Sequence, residues 1–301
     1  MAVAGANQLD IRIAENYRFV RILARRWWSV VALASDIETG ANVAVKLEEE
    51  HGQFHETEVE FYKRLKNSQG IPKMHWSGKE GEFKAIVLEF LGPSLQDLHY
   101  YCGQQFSRKT VLMLADQLIC RLRRIHSKNI IHCDIKPSNC LMGVGREGNT
   151  VYLTDFGISR QYEPTHDPAT GNGGLIGTTV FASRNAQSGE KQSRRDDMES
   201  LGYMLIYLLR GHLPWESMPV TTTMSGPELI LERKKNINIA TELCRDLPKE
   251  FEHYMNHVRN LSYTDAPRYD YLRRLFQRVF KRERYNYDKV FDWTKFHYLE
   301  R

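Results

Sequence analysis

The hydrophobic period of this chain changes once, at Gly92-Pro93, and that change limits what it can fold into. Before it, YRFVRIL, WSVVALASD and ANVAVKLE are rich in β-branched and aromatic residues, with Asp36-Ile37-Glu38-Thr39-Gly40 as a turn between the last two. MHWSGKEGEFKAIVLEF reads as two more strands around the turn Lys79-Glu80-Gly81. Between these sets, residues 53 to 66 place Phe54, Val59, Phe61, Tyr62 and Leu65 at a spacing that suits a helix. After Ser94 the texture is helical, in SLQDLHYYC, SRKTVLMLADQLICRLRRIHSKN, DDMESLGYMLIYLLRG, PKEFEHYMNHVRNLS and YDYLRRLFQRVFKRE. A chain of 301 residues divided in this way predicts an α+β protein of two lobes, the first small and mostly β with one helix, the second larger and mostly α. We place the lobes at 17–92, with the hinge at its end, and 93–295, with a disordered lead over 1–16 and a short tail over 296–301.

Composition narrows the function classes. No run of eighteen apolar residues occurs, so no membrane span is expected. MAVAGANQLD lacks the basic start and long apolar stretch of a signal peptide. Cys102, Cys120, Cys133, Cys140 and Cys244 are odd in number, widely spread and without a CxxC pair, which predicts free thiols in a reducing compartment and no zinc site. The net charge of +5 gathers in RKTVLMLADQLICRLRR, SRRDD, LERKK and LRRLFQRVFKRER. Each cluster suits a solvated helix face, and together they favour an acidic substrate or partner. No finger, basic zipper or RNA-recognition signature accompanies them, so nucleic acid is not an expected partner.

The chemistry is concentrated in His132-Cys133-Asp134-Ile135-Lys136-Pro137-Ser138-Asn139, followed by Thr154-Asp155-Phe156-Gly157. This H-x-D-x-K-x-x-N and D-F-G pair resembles that of protein kinases. A nucleoside triphosphate concentrates negative charge, and magnesium, which prefers hard oxygen ligands, bridges its oxygens. Asn139 and Asp155 offer a carbonyl and a carboxylate for the metal. Asp134 can orient a substrate hydroxyl and accept its proton, and Lys136 can neutralise charge on the transferring phosphoryl group. Val43-Ala44-Val45-Lys46 ends an apolar strand on a lysine able to reach the α and β phosphates. That lysine needs an acid from the following helix. Glu58 is our choice; Glu56 and Glu60, on other helix faces, are its rivals.

LGPSLQDL, IHSKNIIHCDIKPSNCLMG, FASRN, QSRRDDMESLGYMLIYLLRGHLPWE and VFDW resemble the casein kinase 1 family, over about residues 17 to 295. Ser183-Arg184-Asn185 stands where that family has an S-I-N type triplet and most kinases have A-P-E. The resemblance implies a bilobal protein kinase fold, ATP with Mg2+ as cofactors, and phosphorylation of serine or threonine on protein substrates. It also implies Leu88 as gatekeeper, Glu89 to Leu91 as the hinge that meets adenine, Leu23, Val31 and Ala44 as apolar cover of the nucleotide, Leu141 beneath the base, and Asp197 as anchor of the catalytic loop. We expect a cytoplasmic monomer.

The chain departs from that family in three places. The family's I-G-x-G-x-F-G-x-I loop is Leu23-Ala24-Arg25-Arg26-Trp27-Trp28-Ser29-Val30-Val31 here, with Ala24, Arg26 and Ser29 in place of glycine. Glycine permits close backbone approach to phosphate and positive φ, so weaker ATP binding or slower turnover is expected. Cys133 replaces the arginine that most kinases pair with a phosphorylated activation loop; we read it as a buried inert thiol rather than a redox sensor. Val180 and the 221–226 stretch Thr-Thr-Thr-Met-Ser-Gly replace the cations with which the family reads a phosphate already on its substrate. The cluster replaced at 221–226 is also a nuclear-targeting signal in members of that family, so its loss puts a nuclear address in doubt; the expected location is the cytoplasm, with the nucleus as the alternative. Two functional readings remain: an active kinase, or a pseudokinase serving as a nucleotide- or protein-binding scaffold. The intact Lys46, Glu58, Asp134, Lys136, Asn139 and Asp155 favour the first, and the lost glycines favour the second.

Overall fold

The computed structural model describes residues 10–25, 29–49, 55–164, 177–216 and 224–299. Residues 1–9 of the expected lead, Arg26, Phe54, residues 221–223 and the last two residues of the tail lie outside the described residues. The chain divides into two compact units, one running to Asn67 and including Pro72–Leu91, the other formed by Ser68–Ile71 and everything from Gly92 onward.

The first unit is a six-stranded antiparallel sheet. Its strands are β1 (Arg12–Ile13), β2 (Tyr17–Arg25), β3 (Ser29–Asp36), β4 (Asn42–Glu49), β5 (Met74–Glu80) and β6 (Phe83–Glu89), in the order β1-β2-β3-β4-β6-β5. The period of two in β4 puts Val43 and Val45 on one face, where they pack with Ala34, Ala85, Val87, Tyr17 and Ile13. Asp36 makes the β3–β4 turn by accepting at Oδ1 from the N–H groups of Glu38 and Thr39, both at 2.9 Å. The β5–β6 turn falls at Gly81-Glu82, one residue later than expected, with Gly81 at φ +58°. The helix α1 (His55–Arg64) lies within the expected span.

One expectation fails at the start of the chain. Residues 10–16 are not a disordered lead: β1 pairs with β2, and Ile13 is buried. Burying an isoleucine is favourable by about 1.5–3 kcal/mol, and Asp10 adds ion pairs to Arg12 and Arg18.

The second unit is built on α2 (Leu95–Tyr101), α3 (Arg108–His126), α4 (Arg184–Gln187), α5 (Arg194–Arg210), α6 (Gly226–Asn236), α7 (Lys249–Arg259), α8 (Tyr269–Arg282) and α9 (Asp292–Leu299). Every residue of α5 from Asp196 to Leu209 is buried, so α5 is the centre of the unit. It stops at Gly211, whose φ of +81° ends the helix in the left-handed conformation. The start of α3 is capped by its own Ser107 and by Asp292 of the VFDW segment, which accepts from Ser107 N at 2.6 Å and Ser107 Oγ at 2.7 Å. Two short antiparallel pairs complete the unit: β7 (Ile130–Ile131) with β10 (Arg160–Gln161), and β8 (Cys140–Met142) with β9 (Val151–Leu153).

The sequence reading contains no helix at α6, where it noted only the basic cluster LERKK. The overlooked signal is at the N-terminus: Ser225 and Glu228 form a reciprocal capping box, with Pro227 in the first turn. All five cysteines are free thiols. Among the described residues no helix is long and apolar enough to cross a membrane.

Candidate active site

In the second unit, buried Asp197 on α5 organises the His132 loop. Its carboxylate accepts from the backbone N–H of His132 at 2.8 Å and of Cys133 at 2.9 Å, and faces His126 Nε2 at 2.8 Å. Cys133 takes φ +68°, a conformation that costs a non-glycine residue on the order of 1–3 kcal/mol. The Asp197 bonds to both adjoining amides hold it there. The Cys133 thiol is buried, and burial pushes its pKa well above the usual thiol value, so it is not a reactive thiolate. His132 accepts at Nδ1 from Asp134 N at 3.3 Å, which assigns its proton to Nε2, 3.0 Å from Thr154 O.

Asp134 is the most heavily bonded carboxylate of this loop. Oδ1 accepts from Thr178 N at 3.1 Å and Thr178 Oγ1 at 2.8 Å; Oδ2 accepts from Asn139 Nδ2 at 3.0 Å and meets Lys136 Nζ at 2.6 Å. Lys136 Nζ also donates to Thr178 Oγ1 at 2.8 Å, so the hydroxyl passes a hydrogen bond from Lys136 on to Asp134. Gly177 makes this possible. Its φ is +107°, and a Cβ at that position would stand 2.6 Å from Cys133 O.

Asn139 donates both its bonds from the NH2 end, to Asp134 Oδ2 and, at 2.9 Å, to Asp134 O. Its carbonyl oxygen is therefore the end that suits a cation. Thr154 donates to Asn139 O from both N–H, at 3.0 Å, and hydroxyl, at 3.2 Å, which ties Asp155 into the same neighbourhood. Asp155 itself stands at φ +67°. Among the described residues no group of three or more His, Cys, Asp or Glu could hold a metal unaided. A carbonyl and a carboxylate, with the remaining ligands from phosphate and water, is the oxygen set that magnesium uses. Leu141, half-buried on β8, bridges to Ser94 at the head of α2.

In the first unit Lys46 lies between two acids. Its ammonium is 2.6 Å from Glu58 Oε2 and 2.9 Å from Glu48 Oε1. Of the three candidate acids on α1, Glu58 is buried, Glu56 is exposed and bonds Lys84 at 2.5 Å, and Glu60 is exposed. Glu48 was not foreseen, although its position two residues beyond Lys46 on a strand already puts it on the same face. Register sets the rest of that face. Val31 pairs with Lys46, Leu33 and Leu88 with Ala44, and Ser29 with Glu48. Glu89 pairs with Val43 and so stands on the other face, its carboxylate accepting from Lys73 N at 3.1 Å; only its main chain suits a nucleotide contact. Leu23 is 38% exposed on β2, and Leu91 is buried.

The lost glycines look different in the structure. Ala24 pairs with Val31 and Ser29 with Glu48, both within strands, and neither has positive φ. The conformational part of the expected penalty therefore does not arise at these two positions.

The cations around residues 178–187 answer partners within the fold. Arg184 bonds Arg259 O and lies 3.4 Å from Glu199; Arg194 bonds Thr264 O at 2.6 Å and stacks on Tyr162; Arg195 bonds Glu190 at 2.9 Å and Leu261 O. In the RKK run Arg233 pairs with Glu242, Lys235 lies 3.8 Å from Glu232, and Lys234 is buried. Thr178 has no role in the sequence reading, and Lys234 is expected only as part of the solvated cluster LERKK, whereas the fold buries it. Their partners lie tens of residues away, and no local pattern announces them.

With this geometry in place, comparison with protein families matches residues 17–272 to the model described as protein kinase domain.

Proposed function

The chain belongs to the protein kinase domain family, and on that premise we propose that it phosphorylates serine or threonine on protein substrates, with ATP and magnesium, in the manner of the casein kinase 1 family. The observation that carries this reading is the Asp134 carboxylate, held by four donors from Thr178, Asn139 and Lys136. A group fixed so firmly is suited to orient an acceptor hydroxyl and take its proton.

The bound magnesium nucleotide would supply the transferable phosphoryl group and the counter-charge for its oxygens. Lys46 would hold phosphate oxygens, its ammonium kept in place by Glu58 and Glu48. Asn139 and Asp155 would hold the metal. Lys136, already beside Asp134 and Thr178, would steady negative charge as the acceptor oxygen loses its proton to Asp134. Val31, Ala44 and Leu88, on the same sheet face as Lys46, would form the apolar side of the nucleotide site. Preference for serine or threonine is supported by the casein kinase 1 motifs of the second unit.

Transfer of radiolabelled phosphate from ATP to a generic acidic protein tests the proposal. Transfer is expected from the parent and, to a small residual level, from Asp134→Asn, which should still show a thermal shift with ATP and magnesium because the base acts on the acceptor. Nucleotide binding with no transfer from the parent would establish a scaffold instead.

A further inference from the structure

Helix α6 carries a lysine that never reaches solvent. Lys234 is fully buried, and its ammonium donates to Thr179 O at 2.7 Å, Ala182 O at 2.7 Å and Gln187 Oε1 at 3.1 Å. The Trp215 and Tyr203 rings lie with their centroids 5.1 and 5.3 Å from Nζ. Three N–H donors thus meet three neutral acceptors, and all three acceptors belong to residues 179–187. The charged groups packed around it are Glu199 of α5 and Arg259 of α7, with Arg184 of α4 beyond them. Glu199 is shared among Arg184, Arg259 and the Tyr203 hydroxyl.

Burying an ammonium without a carboxylate of its own is costly, and burial pulls the pKa of Lys234 down to about 7. An apolar side chain would serve a core that only had to be filled. What the lysine adds is a grip on one segment. Trp215 Nε1 donates to Val180 O at 2.9 Å, so the carbonyls of residues 179, 180 and 182 all end on buried donors. Phe181 and Ala182 close the segment by donating to Thr178 O, both at 2.9 Å. Its other end is the Thr178 hydroxyl on Asp134. An acceptor hydroxyl that meets Asp134 must lie beside this segment.

We propose that Lys234 is a positioning residue for phosphotransfer, fixing the 178–182 segment against which the acceptor peptide docks. The kinetic consequence rests on the kinase reading above; the structural one does not.

Lys234→Met keeps much of the bulk and loses every donor, while Lys234→Gln keeps two. With acidic peptide and ATP varied separately, Lys234→Met should raise the peptide KM by about tenfold, as expected for lost charge-assisted bonds, with Lys234→Gln between it and the parent. The ATP KM should stay within about twofold, because α6 contributes nothing to the phosphate-holding residues. General destabilisation would lower the active fraction, and so kcat, without touching the peptide KM; that outcome overturns the proposal.

If neither variant folds, hydrogen exchange in the parent decides. The Phe181 and Ala182 amides should exchange as slowly as those in the middle of α5, and rapid exchange at these two alone overturns the proposal. A parent without phosphotransfer would sink the kinase reading, yet the same two amides would still report whether the 178–182 segment is held fixed.

Discussion

The Thr178 hydroxyl donates to Asp134 Oδ1 at 2.8 Å while accepting from Lys136 Nζ at the same distance. One side chain thus orders both the candidate base and its neighbouring cation. Thr178→Val keeps the shape and removes the hydroxyl. We expect kcat to fall by about 10- to 100-fold, a part of the roughly 100- to 10,000-fold that general-base catalysis contributes, and Thr178→Ser to recover most of it. Steady-state kinetics on the three proteins checks this. A valine variant as fast as the parent would show that the Thr178 N–H and the Asn139 amide hold Asp134 without help.

Lys46 answers Glu58 and Glu48 together. Losing either acid should leave the other holding the ammonium, so Glu48→Gln and Glu58→Gln are each expected to raise the ATP KM by about three- to tenfold, with the double variant worse than the product of the two. Lys46→Arg should impair turnover, since a planar guanidinium does not fit a niche shaped for a point charge between two carboxylates. Unchanged kinetics in Lys46→Arg would remove Lys46 from the phosphate site, and strictly multiplicative single effects would show that the two acids act independently.

What the sequence made legible was whatever repeats locally. The alternation in β4 and the helical spacing in α3, α5 and α8 were readable because burial acts on neighbours two, three or four residues apart. Glu58 could be chosen because a helix separates it from Glu56 and Glu60. Glu48 obeys an equally local rule, and only attention to α1 hid it. The Thr178–Asp134, Lys234–Thr179 and Arg259–Glu199 pairings join distant stretches through the fold and leave no periodic trace. Residues 10–16 were misread for a related reason: a two-residue strand becomes stable through the partner it meets, which here is β2.

Glycine at Ala24, Arg26 and Ser29 together is expected to lower the ATP KM, by removing side chains that keep backbone from phosphate. Ala24 and Ser29 lie in paired strands at ordinary φ, so glycine there should also loosen the sheet, by about 0.5–1 kcal/mol at each position. The triple variant should therefore bind nucleotide better and melt earlier. ATP titration and thermal unfolding read the two arms. A triple variant with the parent's KM and turnover would mean that the glycine-free sequence serves phosphate as well as glycine does.

The last expectation concerns substrates that already carry a phosphate. A phosphoserine brings about −1.5 to −2 charges at neutral pH, and each charge-assisted contact to it contributes on the order of 1.5–3 kcal/mol. Members of the casein kinase 1 family, which the sequence resembles, supply those contacts from cations where this chain has Val180 and an uncharged 221–226 stretch, of which the described part, Met224 to Gly226, adds none. Arg184 and Arg195 are the nearest substitutes by sequence, yet Arg184 is drawn to Glu199 and Arg259 O, and Arg195 to Glu190 and Leu261 O. Turning either towards a peptide would take a cation away from a carboxylate, which for Glu199 is a buried one. Lys234 is committed to the segment itself. Exposed cations farther off can attract acidic peptides only at a range that salt screens within about 8 Å. A peptide with an upstream phosphoserine should therefore be favoured over its unphosphorylated twin by less than about tenfold in kcat/KM, which is under 1.4 kcal/mol of discrimination. Val180→Arg should widen that ratio, because it restores a guanidinium beside a segment already fixed by Trp215 and Lys234. Measuring both peptides with parent and variant decides the matter. A strong preference for the phosphorylated peptide in the parent would mean that Arg184 or Arg195 leaves its fold partner when substrate arrives.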